Sequence, residues 1–331
     1  MLLVTGGAGY IGSHVILKLI ESGYDIVVFD SLENGHQETI DTLRAINAKG
    51  KLVDFIRGDL KNPADVKGVF DKHAFDAVLH FAAYIRVEES VQNPQKYYYN
   101  NVVGSLNLIS EMLQHNVKKL VFSSTAAVYG EPQYTPIDEQ HPLSPINPYG
   151  MSKFMVEKIL DSYDTAYDFK SVRLRYFNVA GADLQIRIGE WHEPESHLIP
   201  NILASVENTD KTFNMFGNDY ETRDGTCVRD YVNVEDLADA HIAALTYLMK
   251  GGKTDCFNIG TASGHTVKEV FSVCENITSH KIKLDVKERR AGDPAVLVAN
   301  NKKAFEVLGW QNKRSLDDSI ETAYKWIQKN K

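Results

Sequence analysis

The chain has 331 residues, 43% hydrophobic and 24% charged, which is room for about two domains or one large α/β unit with an appendage, each with a real core. Basic residues number 36 against 44 acidic ones, and the net charge of −8 argues against a nucleic-acid partner. Three widely spaced cysteines, Cys227, Cys256 and Cys274, form no CxxC pair and exclude a disulfide framework or a zinc ribbon. The chain enters a strand at once, with no basic stretch and long apolar run of a signal peptide. No run approaches ~18 apolar residues, so no membrane span is expected and the protein reads as cytoplasmic.

Short apolar runs alternate with amphipathic segments. Strands are predicted over Leu2–Thr5, Asp25–Phe29, Lys51–Ile56, Ala77–Phe81, Leu120–Ser123 and Ser171–Tyr176. Helices are predicted between them, over Gly12–Glu21, His36–Ala48, Asp65–Lys72 behind Pro63, Asn93–Asn116 and Tyr149–Tyr163. Near-continuous apolar strands separated by helices mean parallel βαβ units with both faces covered, hence a doubly wound Rossmann-type α/β sheet. The rhythm breaks after Asn178. Loops carry residues 181–226, with a helix near Leu198–Glu207. A helix over Val234–Met249, a strand near Asp255–Asn258, and helices over Thr266–Asn276 and Ser315–Gln328 follow. The expected organisation is a first domain over 1–178 with return segments near 227–258, and a smaller mixed α/β lobe from 179–226 and 259–331.

Gly6, Gly9 and Gly12 follow the first strand and open the first helix. Glycine permits the tight turn there and lets backbone N–H groups approach a pyrophosphate at the helix N-terminus. Asp30 ends the second strand, 18 residues after Gly12. A carboxylate at that place accepts from adenosine ribose hydroxyls and repels a 2′-phosphate, which selects NAD over NADP. Asp59, after the third strand, is placed to face the adenine.

Tyr149 and Lys153 stand four apart at the start of a helix and share one face. Ser123, Ser124 and Thr125 end the preceding strand, at the carboxyl edge where doubly wound sheets bind ligands. Hydroxyl, phenol and ammonium make a proton-transfer set. Lys153 is expected to depress the Tyr149 pKa, helped by a positive nicotinamide; a shift from ~10 to ~7 needs roughly 4 kcal/mol.

TGGAGYIGSH, Asp30, HFAA at 80–83, FSSTAAVYG at 122–130, NPYGMSK at 147–153 and LRYFNVAG at 174–181 resemble the extended short-chain dehydrogenase/reductase superfamily. GNDYETRDGTCVRDYVNVEDLADAH at 217–241 and RRAGDP at 289–294 narrow the resemblance to the UDP-glucose 4-epimerase family, over nearly the whole chain. The resemblance implies interconversion of UDP-glucose and UDP-galactose by transient, NAD-dependent oxidation at sugar carbon 4, rotation of the 4-keto sugar and re-reduction. It makes Tyr149 the base for the 4-hydroxyl proton and Lys153 the residue that holds the cofactor ribose and tunes Tyr149. Thr125, with Ser123 and Ser124 nearby, orients the sugar hydroxyl. The implied NAD site comprises Gly6, Gly9, Tyr10, Ile11, Gly12, Asp30, Asn34, Asp59 and Leu60. Phe81, Ala82, Ala83, Asn100, Ser123, Tyr149, Lys153 and Phe177 complete it. Thr125, Tyr149, Asn178, Leu198, Phe216, Arg229, Arg290, Asp293 and Leu297 are implied to hold the UDP-sugar. Arginine suits that task because its planar fork pairs with two phosphate oxygens. In relatives the helix at 93–116 and the helix from 149 form a bundle between two subunits, which implies a homodimer.

Two departures matter. Ile85 stands where many epimerases carry Lys or Ser, so one cofactor-ribose contact is missing or replaced. Leu297 stands where some members have a Tyr that closes the pocket against an N-acetyl group, so UDP-N-acetylglucosamine is expected to be accepted as well. Related dehydratases need an acid pair after the central Thr; Ala126 and Ala127 supply none. A 4-epimerase of another UDP-sugar (pentose or uronic acid) and a non-catalytic NAD-binding module remain as alternatives. The segment Trp191–His197 holds two His and two Glu, but the His spacing of five with an intervening Pro excludes ligation on one helix face, so it is expected to be a polar loop with no metal. Tyr97, Tyr98 and Tyr99 point three ways on a helix, which suits packing and subunit contacts rather than a stacking platform.

Overall fold

In the computed structural model of the chain, residues 1–47, 50–207, 212–290 and 292–330 are described. Ala48, at the end of the second expected helix, and Ala291, inside the RRAGDP stretch, lie outside them, as do residues 208–211 and Lys331. The strands are β1 (Leu2–Thr5), β2 (Ile26–Asp30), β3 (Leu52–Arg57), β4 (Ala77–His80), β5 (Lys119–Thr125), β6 (Lys170–Tyr176), β7 (Asn178–Ala180), β8 (Phe213–Phe216), β9 (Val228–Asn233), β10 (Asp255–Ile259), β11 (Gly264–Thr266), β12 (Leu284–Lys287) and β13 (Val296–Leu297). The helices used below are α1 (Tyr10–Glu21), α2 (Gln37–Ala45), α3 (Pro63–Lys72), α4 (Val87–Gln92), α5 (Pro94–Tyr97), α6 (Gly104–Gln114), α7 (Pro148–Tyr167), α8 (Leu198–Glu207), α9 (Val234–Met249), α10 (Val267–Thr278), α11 (Lys302–Leu308) and α12 (Leu316–Lys329).

The apolar strands pair as their pattern demands. β1, β2 and β4 are buried along their whole length, and β3, β2, β1, β4 and β5 run parallel in that spatial order. The sheet has seven strands in the order β10-β6-β5-β4-β1-β2-β3. This is the doubly wound order, with the direction of winding reversing between β1 and β4. Leu3, Val27, Val78, Leu120 and Phe122 form one core with Leu108, Ile109, Met112, Val156 and Leu160 from the helices.

Local chemistry sets the helix ends. Asn147 caps α7 by accepting from Gly150 N–H at 2.8 Å, with Pro148 at the first helical position. Asn62 and Pro63 open α3 in the same way. α7 runs four residues past Tyr163 and ends at Asp168, whose φ of 55° is left-handed. The stretch 93–116 is helical but not uniform: a wider π-type turn over Tyr98–Val103 separates α5 from α6. Tyr97 is buried and donates to Glu89, whereas Tyr99 is exposed.

The chain divides into two compact units. Unit 1 is Met1–Gly130, Leu143–Arg175 and Ala238–Phe257; unit 2 is Glu131–Pro142, Tyr176–Leu237 and Asn258–Lys331. The segment Glu131–Pro142 groups with unit 2 because Ile137 N–H donates to Val298 O, and Asn258 Nδ2 donates to Ile137 O. In unit 2, β9 pairs with β7, β11 and β13, and β8 pairs with β12. α8, α10 and α12 supply Ile202, Leu203, Val270, Phe271, Leu316 and Ile320 to its core. No described helix is long and apolar enough to cross a membrane.

Candidate active site

The first cluster in unit 1 lies at the carboxyl ends of β1, β2 and β4. Gly6 has φ +72°, and a Cβ there would stand 2.4 Å from Ala82 N. A Cβ on Gly12 would stand 2.3 Å from Gly6 O. Glycine is therefore required where the turn presses against the end of β4. Gly9 caps α1 with extended backbone and no side-chain cap, which leaves the first N–H groups of α1, from Tyr10 and Ile11 onward, to an anion. Asp30 is buried, and both its oxygens accept backbone N–H groups, from Ala8 and Leu32, each at 2.9 Å. Burial pushes its pKa up while those two donors pull against it. Asp30 thus holds the glycine loop itself, a task its place in the sequence did not reveal. Asn34 is exposed beyond it. Asp59 pairs with Lys61 at 3.3 Å, and Lys61 also pairs with Glu33 at 3.1 Å. Leu60 is buried, its carbonyl accepting from Asn107. Phe81 is half-buried, its ring centroid 4.8 Å from that of His241. Ala82 and Ala83 follow it, half-buried, and Ile85 is exposed.

The second cluster joins the end of β5 to the start of α7. The Thr125 side chain lies close enough to the Tyr149 hydroxyl to draw its pKa down. Thr125 also accepts from Ala127 N–H at 3.1 Å, which fixes its rotamer. One turn on, Lys153 is buried; its ammonium donates to Ser123 O at 2.7 Å and stands 4.9 Å from the centroid of the Phe122 ring. Burial pulls the Lys153 pKa down to about 7, against the opposing pull of Glu157. Burial pushes the Tyr149 phenol up, and the Thr125 side chain opposes that. Lys153 draws the phenol down only while it carries its charge, and burial weakens that charge. The Ser124 hydroxyl is engaged elsewhere, donating to the buried Glu157 at 2.6 Å.

A cation whose pKa falls on folding opposes folding. That penalty is complete below about pH 7 and fades toward 10.5. Lys153→Met is therefore expected to raise the free energy of unfolding below pH 7 by on the order of a few kcal/mol, and the denaturant midpoint with it, the gain shrinking as pH rises. Urea titrations of variant and parent at several pH values check this; equal midpoints at the acidic end contradict it.

Behind both clusters runs a polar network that the sequence did not announce. His80 Nδ1 pairs with Thr5 Oγ1 at 2.7 Å and Nε2 with Ser105 Oγ at 2.8 Å. Burial pulls its pKa down to about 3, so His80 is neutral. Ser105 donates to Asn101 O at 2.5 Å. The buried Asn101 side chain accepts from Tyr84 and Asn100, and donates to Ser152 Oγ at 3.0 Å. Ser152 in turn donates to the Tyr149 carbonyl at 2.7 Å. The first strand, β4, α6 and the start of α7 are thereby locked together. The buried position of Asn101 in the middle of an otherwise helical run was the signal available.

Unit 2 gathers most of the other candidates around β9. Arg229 is buried; it donates to Asp293 at 2.8 Å and to the Pro294 carbonyl at 2.8 Å. Leu297 pairs with Arg229 in register, and Asn178 with Tyr231. Arg290 lies over the Phe216 ring, 4.0 Å from its centroid. Two candidates stand apart from this group: Leu198 begins α8 and packs on the unit 2 core, and Phe177 is buried with its N–H on Ile259 O.

A family model described as GDP-mannose 4,6 dehydratase matches residues 3–323. A UDP-glucose 4-epimerase of Lactobacillus helveticus is 50% identical over 325 residues, covering 98% of this chain and 96% of that protein. One of Halalkalibacterium halodurans is 47% identical over 326 residues, covering 98% and 95%. The chain belongs to the UDP-glucose 4-epimerase family. A solved UDP-glucose 4-epimerase of Bifidobacterium longum, in complex with NAD+ and UDP, superposes with TM-score 0.94 at 38% identity over 99% of this chain and 98% of that one. A solved UDP-Glc/GlcNAc 4-epimerase of Campylobacter jejuni superposes with TM-score 0.86 at 41% identity over 99% of each. Dehydratases share the broader superfamily with the UDP-glucose 4-epimerase family. In this chain Thr125 is followed by Ala126 and Ala127, which offer no carboxyl group for expelling water from a sugar.

Proposed function

We propose that the chain interconverts UDP-glucose and UDP-galactose at sugar carbon 4, with NAD held by unit 1 and the UDP-sugar gripped by residues of unit 2. The observation that carries this reading is the Tyr149 phenol with the Thr125 side chain beside it, one turn before the buried Lys153. The glycine cradle fits a pyrophosphate, because Cβ atoms on Gly6 or Gly12 would fill it and α1 has no side-chain cap. Asp30 has lone pairs left for ribose hydroxyls once Ala8 and Leu32 are served, and its charge disfavours a 2′-phosphate. Bound NAD supplies a transient oxidant for carbon 4. Thr125 orients the 4-hydroxyl, and Tyr149 takes the proton from its oxygen and returns it to that same oxygen once the 4-keto sugar has turned its other face to the cofactor. Lys153 holds the ribose and, when charged, favours the phenolate. Ser124 serves by fixing the side chain of Glu157, on α7. Arg229, held by Asp293, and Arg290, stacked on Phe216, meet the pyrophosphate; a stacked guanidinium keeps its in-plane N–H fork for oxygens.

The half-buried Leu297 in place of a tyrosine leaves room for an N-acetyl group, and the reading extends to UDP-N-acetylglucosamine. UDP-glucose and UDP-N-acetylglucosamine, each incubated with the purified chain and no added NAD, are both expected to give their 4-epimers by NMR. Failure with UDP-glucose overturns the reading; failure with the N-acetyl sugar alone removes the extension.

In the same reading the chain is a homodimer through α6 and α7 and works in the cytoplasm. The apolar side chains of Tyr99, on the turn before α6, and Met155, on α7, are 52% and 42% exposed, which suits an interface. Light scattering that returns one chain mass at micromolar concentration contradicts it.

A further inference from the structure

Four side chains that the proposed reaction does not use converge in unit 2. Glu190, His192, Glu195 and His197 each offer one ligand atom, and these atoms all lie within 4.8 Å of one another. His197 Nδ1 is 2.9 Å from Glu190 Oε1 and 3.0 Å from Glu195 Oε1. His192 Nδ1 is 3.3 Å from Glu190 Oε1 and 3.6 Å from Glu195 Oε2. A tetrahedral zinc ion with bonds of about 2.0–2.1 Å sets its ligand atoms roughly 3.3–3.4 Å apart. The two distances from Glu190 Oε1 approach that value, and each imidazole also faces an oxygen of Glu195.

The spacing argument against a metal concerned ligands on one helix. The segment is irregular coil up to Leu198, where α8 starts, so helical spacing does not apply. The coil turns both imidazoles toward the same two carboxylates.

Charge points the same way. Glu190 is nearly buried, its side chain 5% exposed, and Glu195 is partly so. Two carboxylates in such a site need two positive charges. Two imidazolium rings could supply them, but their centroids are only 5.0 Å apart and like charges oppose each other at that range. One dication neutralises both carboxylates and leaves both rings neutral, the form that ligates metals.

We propose that Glu190, His192, Glu195 and His197 form a four-ligand site for a divalent transition metal, zinc by its two-nitrogen, two-oxygen donor set. The site is closed and structural: all four positions come from protein, as in structural rather than catalytic zinc sites. It ties the coil to the start of α8. Its surroundings already hold the ligands in place. Ser196 and His197 N–H groups donate to Glu195 Oε1 at 2.7 Å each, Asn201 Nδ2 donates to His197 O at 2.9 Å, and Trp326 Nε1 donates to Glu190 O at 3.0 Å.

The test uses the full chain, purified without a polyhistidine tag and dialysed against metal-free buffer, before and after addition of zinc alone. Elemental analysis is expected to find one zinc per chain. X-ray absorption at the zinc edge is expected to show only nitrogen and oxygen neighbours at ~2.0 Å with imidazole scattering. His192→Gln/His197→Gln is expected to lose the metal. Substoichiometric metal after zinc addition, a sulfur shell at ~2.3 Å that would place the ion on a cysteine, or full zinc retention by the double variant each overturn the proposal. If the double variant does not fold, the absorption spectrum of the parent chain decides alone.

Discussion

Tyr149→Phe is expected to lower kcat for UDP-glucose about 10³-fold while NAD stays bound, because the change removes a single proton acceptor and leaves the glycine cradle untouched. The effect is confined to the phenolic oxygen. Its partner Thr125 keeps its bond from Ala127, so the end of β5 holds its shape without it. Burial pushes the Tyr149 phenol up. The ionised form must then be won from the charge of Lys153 and of the bound cofactor, and turnover falls as pH is lowered. Steady-state assays and quantitation of released nucleotide read the two halves separately. Turnover within a few-fold of the parent contradicts the role given to Tyr149 and favours a non-catalytic binding module; loss of NAD shows a structural role instead.

The largest expected effect on stability is at Glu157. Its carboxylate accepts Arg175 Nε at 3.0 Å and Nη2 at 2.6 Å, and the Ser124 hydroxyl at 2.6 Å. Arg175 also donates to the Tyr129 hydroxyl at 3.0 Å. Both charged side chains are almost wholly buried, at 2% and 4% exposure. Removing one partner strands the other in a medium that cannot solvate it. Glu157→Ala is expected to destabilise the chain by about 3–5 kcal/mol. Glu157→Met/Arg175→Met, which removes both charges, is expected to recover much of that loss. Denaturant titrations of the two variants test the pair. A double variant as unstable as the single one contradicts the account, since the penalty would then lie in packing and not in an uncompensated arginine.

The doubly wound sheet was legible because β1, β2 and β4 are near-continuous apolar runs and because Gly6, Gly9 and Gly12 sit between a strand and a helix. Tyr149 and Lys153 were legible from a four-residue spacing on one helix face. What was missed depends on contacts distant in sequence. Glu157 and Arg175 are 18 residues apart, on a helix and the strand after it, and no local pattern marks them as a pair. Asn101 meets Ser152 across 51 residues. The grouping of Glu131–Pro142 with unit 2 rests on the hydrogen bond of Ile137 to Val298, across nearly half the chain. How strongly Tyr149 and Lys153 are desolvated was illegible for a related reason. A spacing reveals which charges are near, whereas desolvation depends on everything packed around the group. The Glu190–His197 coil shows the converse limit: helical spacing says nothing about ligands on a segment that is not helical.

The most direct test of the central claim follows the hydrogen on sugar carbon 4. UDP-glucose carrying deuterium at carbon 4 is incubated with the purified chain in ordinary water, without added NAD, and the products are read by NMR. Oxidation and return of the same hydrogen predict UDP-galactose with deuterium retained at carbon 4. Hydrogen from water at that carbon, a 4-keto-6-deoxy product, or no conversion at all would contradict it.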